Sequence, residues 1–154
     1  MAYSRNVGWV TRAEQEVLRE ARVAIAGLGG VGGAHAATLA RLGIANICIA
    51  DFDVFEVQNI NRQAGAFVST FGRSKTDVIA QMVRDINPQT QLRLFSDGVT
   101  EANVDEFLRD VDVYVDGLDF FVLPVRRMVF AKCRELGIPA LTAAPLGMGV
   151  AFLY

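Results

Sequence analysis

Residues 22–33, Arg22-Val-Ala-Ile-Ala-Gly27-Leu-Gly29-Gly30-Val-Gly32-Gly33, set an apolar run of strand length directly before a glycine cluster. Gly27, Gly29 and Gly32 have the G-x-G-x-x-G spacing that lets a strand turn sharply into a helix while bare backbone N–H groups approach a phosphate. By itself the pattern is weak, because glycine also serves close helix–strand packing. Its context strengthens it. Ala36 to Leu42 continues as a helix that Gly43 stops, and a second apolar run, Ile47 to Ala50, ends in Asp51. Asp51 stands 22 residues after Gly29, close to the offset of about 20 at which a carboxylate meets ribose hydroxyls in a dinucleotide fold.

Outward from this unit, strand-length apolar runs alternate with helix-period segments, the signature of β-α-β units. A doubly wound, Rossmann-like α/β domain follows, its mostly parallel sheet covered by helices on both faces. Residues 1–21 form an arm and a helix, opened by the capping box Thr11-Arg-Ala-Glu14; residues 22–154 form the α/β domain. Val54 to Phe71 lacks periodicity and is long for a connection, which marks it as functional. Ser74 caps a helix running to Ile86, Gln91 to Phe95 is a strand, and Thr100 opens a short helix. Val111 to Val115 is the next strand, Pro124 to Leu136 a helix and Ile138 to Thr142 a further strand; 144–149 turns into the apolar run 150–154. Ending inside an apolar strand, the domain is expected to be truncated, part of a longer protein.

The chain has 154 residues, 52% hydrophobic and 21% charged, within the range of a single globular domain. A net charge of −2 offers no basic footprint, so DNA is not an expected partner. No apolar run approaches the roughly 18 residues that span a membrane, and the N-terminus lacks a signal core. Cys48 and Cys133 sit in apolar segments without a C-x-x-C pair, so buried free thiols in a reducing cytoplasm are expected.

Asn59-Ile-Asn-Arg62-Gln63 and Gly72-Arg-Ser-Lys75 carry more than a dinucleotide site requires. A helix starting near Ser74 puts Lys75 at a positive N-terminus, which a cation tolerates when an anion is close, and a polyphosphate would serve. Asp116-Gly-Leu-Asp119 follows a strand end, where doubly wound sheets bind ligands.

At these positions the chain resembles the ThiF/MoeB/HesA family, the ubiquitin-activating-enzyme-like adenylyltransferases. The matching residues are Tyr3-Ser-Arg5, Gly27-Leu-Gly29-Gly30-Val-Gly32, Asp51-Phe-Asp53, Asn59-x-Asn-Arg62-Gln63, Gly72-x-x-Lys75, Ile86-Asn-Pro88 and Asp116-x-x-Asp119, in order along nearly the whole chain. The resemblance implies ATP-dependent activation of a carboxylate, usually the C-terminus of a ubiquitin-like or sulfur-carrier protein or a peptide, with loss of pyrophosphate. It implies that Asp119 holds Mg²⁺, Asp51 the ribose, and Arg62 with Lys75 the polyphosphate. Asn59 would lie near the phosphates, and Arg5 would reach into the partner subunit's site of a homodimer. Asp53, beside Asp51, is a candidate for binding the cofactor and could equally be a structural acid capping the next turn.

Many relatives carry Asn after the magnesium-site Asp, where this chain has Phe120-Phe121. Phe120, Phe121 and Trp9 are expected to pack rather than to build a cofactor box, and His35 to be a packed or surface residue. Three readings stand: the adenylyltransferase, an NAD-binding oxidoreductase, and a non-catalytic pairing subunit. A family branch that acts on modified tRNA adds a further substrate class to the first.

Overall fold

The computed structural model describes residues 3–154; the first two residues of the expected arm lie outside it. Its elements are α1 (Arg12–Glu20), β1 (Arg22–Ala26), α2 (Gly30–Leu42), β2 (Asn46–Ala50), α3 (Lys75–Ile86), β3 (Gln91–Phe95), α4 (Val104–Phe107), β4 (Val113–Asp116), α5 (Leu123–Leu136), β5 (Ala140–Leu146) and β6 (Gly149–Leu153). They build one sheet of order β3-β2-β1-β4-β5-β6, parallel through β5 with β6 antiparallel at the edge. The expected doubly wound α/β fold is present. Chain order runs outward from β1 in both directions, and this reversal between β1 and β4 is where such sheets open a crevice.

Period-two alternation divides the core. Val23, Ile25, Ile47, Ile49 and Val115 face one side, under α2 and α3, with Ala36, Ala40, Ile79 and Val83. Ala24, Ala26, Cys48, Ala50 and Tyr114 face the other, under α4 and α5. The strand side chains on that second face are mostly small, and aromatic rings fill the space they leave. Phe95, Phe107, Tyr114 and Phe130 stack edge to face in series, with centroids 5.4, 6.3 and 5.8 Å apart.

Local signals explain the boundaries. Thr11 and Glu14 form the reciprocal capping box of α1, Gly43 and Gly137 close α2 and α5 in the left-handed conformation, and the Ser74 hydroxyl accepts the Asp77 N–H to cap α3. Three expectations need correction. The short helix begins at Val104 rather than Thr100, because the Asn103 carboxamide takes the Thr100 N–H and builds a turn ahead of it. β5 continues to Leu146 and pairs with β6 in a hairpin, so much of the expected turn is strand. Trp9, Phe120 and Phe121 do not pack into the core: Trp9 is 93% exposed and Phe121 86%.

The tightest packing involves backbone alone. Gly27 has φ +83°, and a side-chain carbon on it would run into the Gly117 carbonyl; one on Gly117 would meet the Gly27 carbonyl and Gly32 Cα; one on Gly32 would strike the Gly27 carbonyl. Gly29 differs. A carbon there would meet nothing closer than the Gln63 amide nitrogen at 3.6 Å, so the protein leaves its backbone open to a ligand.

Gly117→Ala is therefore expected to cost about 2–3 kcal/mol, a fall in Tm of roughly 5–10 °C, whereas Gly29→Ala stays within about 1 kcal/mol of wild type; thermal unfolding of both variants checks this. Burial pushes the Cys48 thiol up to about 12 and the Cys133 thiol up to about 11, so both stay protonated at pH 8. A colorimetric thiol titration at that pH should find neither in the native protein and both after denaturation.

Candidate functional site

The reversal point opens a crevice of about 450 Å³. Its walls include Gly27, Gly29, Gly30, Asp51, Asp53, Arg62, Lys75 and Asp119, which the sequence scatters over more than ninety positions. Each arrives by a separate device. The Gly27 N–H donates to Ala50 O and the Gly117 N–H to Ala26 O, both at 2.8 Å, which holds the glycine turn and the Asp119 loop at the ends of neighbouring strands. Gly29 caps α2, whose first amides face the crevice without a side-chain partner, the arrangement that attracts anions.

Asp51 ties the turn to β2. Its carboxylate accepts the Leu28 N–H at 2.6 Å and the Asp53 N–H at 2.8 Å, and its backbone carbonyl accepts the Thr76 hydroxyl at 2.7 Å.

Lys75 sits where the sequence puts it, at the start of α3, and is 6% exposed. The anion beside it is Asp53: the ammonium lies 2.9 Å from Asp53 Oδ2. A bridge between Val54 and Ser74 lays the two segments side by side, and the Lys75 N–H donates to Asp53 O at 2.9 Å. The protein itself thus supplies the counter-charge that the helix terminus demands, and a polyphosphate is not needed to explain the cation. Asp53 thus pairs with Lys75 and also lines the crevice.

The long connection carries two short 3-10 turns, Val57–Asn59 and Val68–Thr70. Asn59 is buried and does not line the crevice; its carboxamide oxygen accepts the Glu56 N–H at 2.9 Å and its carbonyl accepts the Gln63 N–H at 3.0 Å. It shapes the turn that carries Arg62. Arg62 spends Nη1 on Gln58 O and Asn61 Oδ1, each at 3.0 Å, which leaves Nε and Nη2 available at the crevice. Gly32 is buried behind the turn. Arg5 lies exposed in the turn Ser4–Asn6 and is not part of its own chain's crevice.

Asp119 is exposed. Oδ1 accepts the Phe121 N–H at 3.1 Å, and Oδ2 has no protein partner among the described residues. Those residues hold no cluster of three or more His, Cys, Asp or Glu suited to a metal ion. One available carboxylate suits Mg²⁺ that arrives with phosphate oxygens and water, the usual way this ion is bound, rather than a resident site. Phe120 and Phe121 stack edge to face at 5.5 Å and form an aromatic wall beside it.

Two groups escaped the sequence reading. The Gln63 carboxamide oxygen is buried at the crevice without a partner among the described residues; the sequence placed Gln63 in the motif with Arg62 but gave it no role. Arg126 reaches from α5 to the carboxylate of Asp116 at 2.8 Å; in the sequence it reads as an ordinary helix charge. Burial, reinforced by the Asp116 carboxylate, pushes the Tyr114 phenol well above its usual value, so its hydroxyl remains a donor to Asp116 at 3.2 Å. His35 is half-buried outside the crevice, its pKa lowered by desolvation. No described helix is long and apolar enough to cross a membrane.

The chain is 31% identical over 142 residues to the tRNA threonylcarbamoyladenosine dehydratase of Bacillus subtilis, covering 92% of this chain and 55% of that protein. It is 30% identical over 151 residues to the sulfur carrier protein ThiS adenylyltransferase of Escherichia coli, covering 97% and 59%. The crystal structure of the E. coli tRNA N6-threonylcarbamoyladenosine dehydratase TcdA in complex with AMP superposes with a TM-score of 0.86 at 30% identity, over 92% of this chain and 57% of that one. Our chain spans about half the length of the curated relatives it matches. The ThiF family model matches residues 3–152, and the chain belongs to the ThiF family.

Proposed function

We propose that this chain is the nucleotide-binding part of an ATP-dependent adenylyltransferase. The observation that carries the reading is the single crevice that gathers the glycine turn, Arg62, Lys75 and Asp119 at the reversal of the sheet. An NAD-binding oxidoreductase has use for the glycine turn and an acid, but none for those three charged groups together. Relatives named adenylyltransferases, and TcdA crystallised with ATP and with AMP, support it.

In the proposed reaction a carboxylate oxygen attacks the α-phosphorus of ATP, the bond from that phosphorus to the bridging oxygen breaks, and pyrophosphate leaves with the electron pair. The nucleophile is already ionised at pH 7, so no general base is required. Catalysis rests on alignment and charge neutralisation. The glycine amides and α2 N-terminus bind phosphate, Arg62 donates from its available nitrogens, and Lys75, held by Asp53, presents a fixed cation. Asp51 has lone pairs beyond those its two amides use, which suit a ribose hydroxyl. Asp119 would hold Mg²⁺, which when bound neutralises phosphate charge. Arg5, exposed on the arm, is proposed to complete the site of a partner subunit in a homodimer.

For the acyl substrate we propose the C-terminal carboxylate of a ubiquitin-like or sulfur-carrier protein or a peptide. A second reading, a carboxylate borne by a modified nucleoside of tRNA, is favoured by the likeness to the threonylcarbamoyladenosine dehydratases.

Isothermal titration of the protein with ATP plus Mg²⁺ should show binding that Arg62→Ala weakens at least tenfold, the scale of a lost charge-assisted hydrogen bond (about 1.5–3 kcal/mol). Asp119→Ala should weaken binding in Mg²⁺ more than in EDTA. Heat on NAD addition alone would establish the oxidoreductase instead, and a folded protein that binds neither nucleotide would be a pairing subunit.

A further inference from the structure

The segment from Gly117 to Val122 carries Asp119 and the aromatic wall, and it has no regular structure. Beyond the tightly packed Gly117, packing holds little of it: Leu118 alone reaches the core, while Phe120 is 64% exposed and Phe121 more so. Backbone hydrogen bonds tie its ends, Gly117 N–H to Ala26 O and Val122 N–H to Asp119 O. Between those ends two side chains from outside the segment hold it, Asp116 at the end of β4, which accepts the Leu118 N–H, and Arg126 from α5, which takes two of its carbonyls.

The Arg126 guanidinium donates from three different nitrogens. Nε goes to Asp116 Oδ2 at 2.8 Å, Nη2 to Leu118 O and Nη1 to Phe120 O at 3.3 Å. Asp116 is 2% exposed at the end of β4, and its other oxygen accepts the Tyr114 hydroxyl and the Leu118 N–H, both at 3.2 Å. Strand end, loop and helix thus meet at one planar cation. A buried ion pair is a poor device for adding stability, since desolvation offsets much of the attraction. It is a good device for fixing direction, because a guanidinium presents its donors in a rigid fork.

We propose that Arg126, braced by Asp116, is a positioning residue that holds the 117–122 loop in the form that presents the Asp119 carboxylate to the bound nucleotide. The inference rests on the reading of Asp119 as part of the ATP site. Arg126 itself makes no contact with the nucleotide. Its contribution passes through Asp119, and the two residues should behave as one unit.

Arg126→Lys separates direction from charge. The ammonium keeps a cation opposite Asp116 but cannot span three acceptors that the fork reaches from separate nitrogens. Amide hydrogen exchange on the free protein should accelerate at residues 117–122 and not in β1 or β4, with Tm nearly unchanged. ATP affinity in Mg²⁺ should fall at least about fivefold, and Asp119→Ala with Arg126→Lys should bind no more weakly than Asp119→Ala alone, as coupled neighbours do. Unchanged loop exchange in Arg126→Lys, or losses that simply add in the double variant, would overturn the proposal. If wild type fails to bind ATP, the nucleotide reading falls and with it the role through Asp119, while the exchange comparison still decides whether Arg126 holds the loop. Should Arg126→Lys not fold, the neutral pair Asp116→Asn with Arg126→Gln strands no buried charge and is judged by the same measurements.

Discussion

The structure depends on three peptide backbones meeting without side chains. Gly27, Gly32 and Gly117 come from the end of β1, the first turn of α2 and the end of β4, and each excludes a carbon on the next. That contact lets β1 and β4 sit as parallel neighbours while the chain departs from them in opposite directions. A methyl group anywhere in it would push the glycine turn from the Asp119 loop and widen the crevice from its base. Fold and site thus share one steric condition.

Electrostatics is layered on that geometry in neutralised pairs. Lys75 is matched by Asp53 and Arg126 by Asp116, so two cations near the crevice carry their counter-ions with them. Arg62 has an exposed guanidinium only partly used by the protein, and Asp119 has an oxygen that accepts no donor among the described residues. The pairs set where groups stand, while the uncommitted groups are the ones able to exchange water for ligand. A paired cation is still electrostatically useful, because the pair is a dipole of fixed orientation.

Much of this was legible in the sequence because local chemistry wrote it there. The glycine spacing, the capping box of α1, Ser74 ahead of α3 and the strand alternation each state their conformation within a few residues. Lys75 shows the limit of that legibility. Its position at a helix start was readable, but the identity of its counter-ion was not, since the Val54–Ser74 bridge that brings Asp53 alongside is a tertiary event across a long connection. Arg126 was invisible for a different reason: its partners lie only six to ten residues before it, but on an irregular loop whose return onto the first turn of α5 no cap or periodic pattern announces. Phe120, Phe121 and Trp9 misled because apolar character argues for burial on average, and each belongs to a segment with nothing of the described chain to cover it.

The exposed Trp9 also decides how the molecule can be observed. It is the only tryptophan in the chain, and it stands on an arm fastened by Asn6 to Gln15 and by Gln15 to the Leu42 carbonyl. Its indole emission therefore reports the surroundings of the arm and is blind to the sheet, whose own optical signature is the edge-to-face series from Phe95 to Phe130. A blue shift of the tryptophan band signals that something has come to lie over the arm, and unfolding of the core is read from the near-ultraviolet dichroism of Tyr114 and its neighbours.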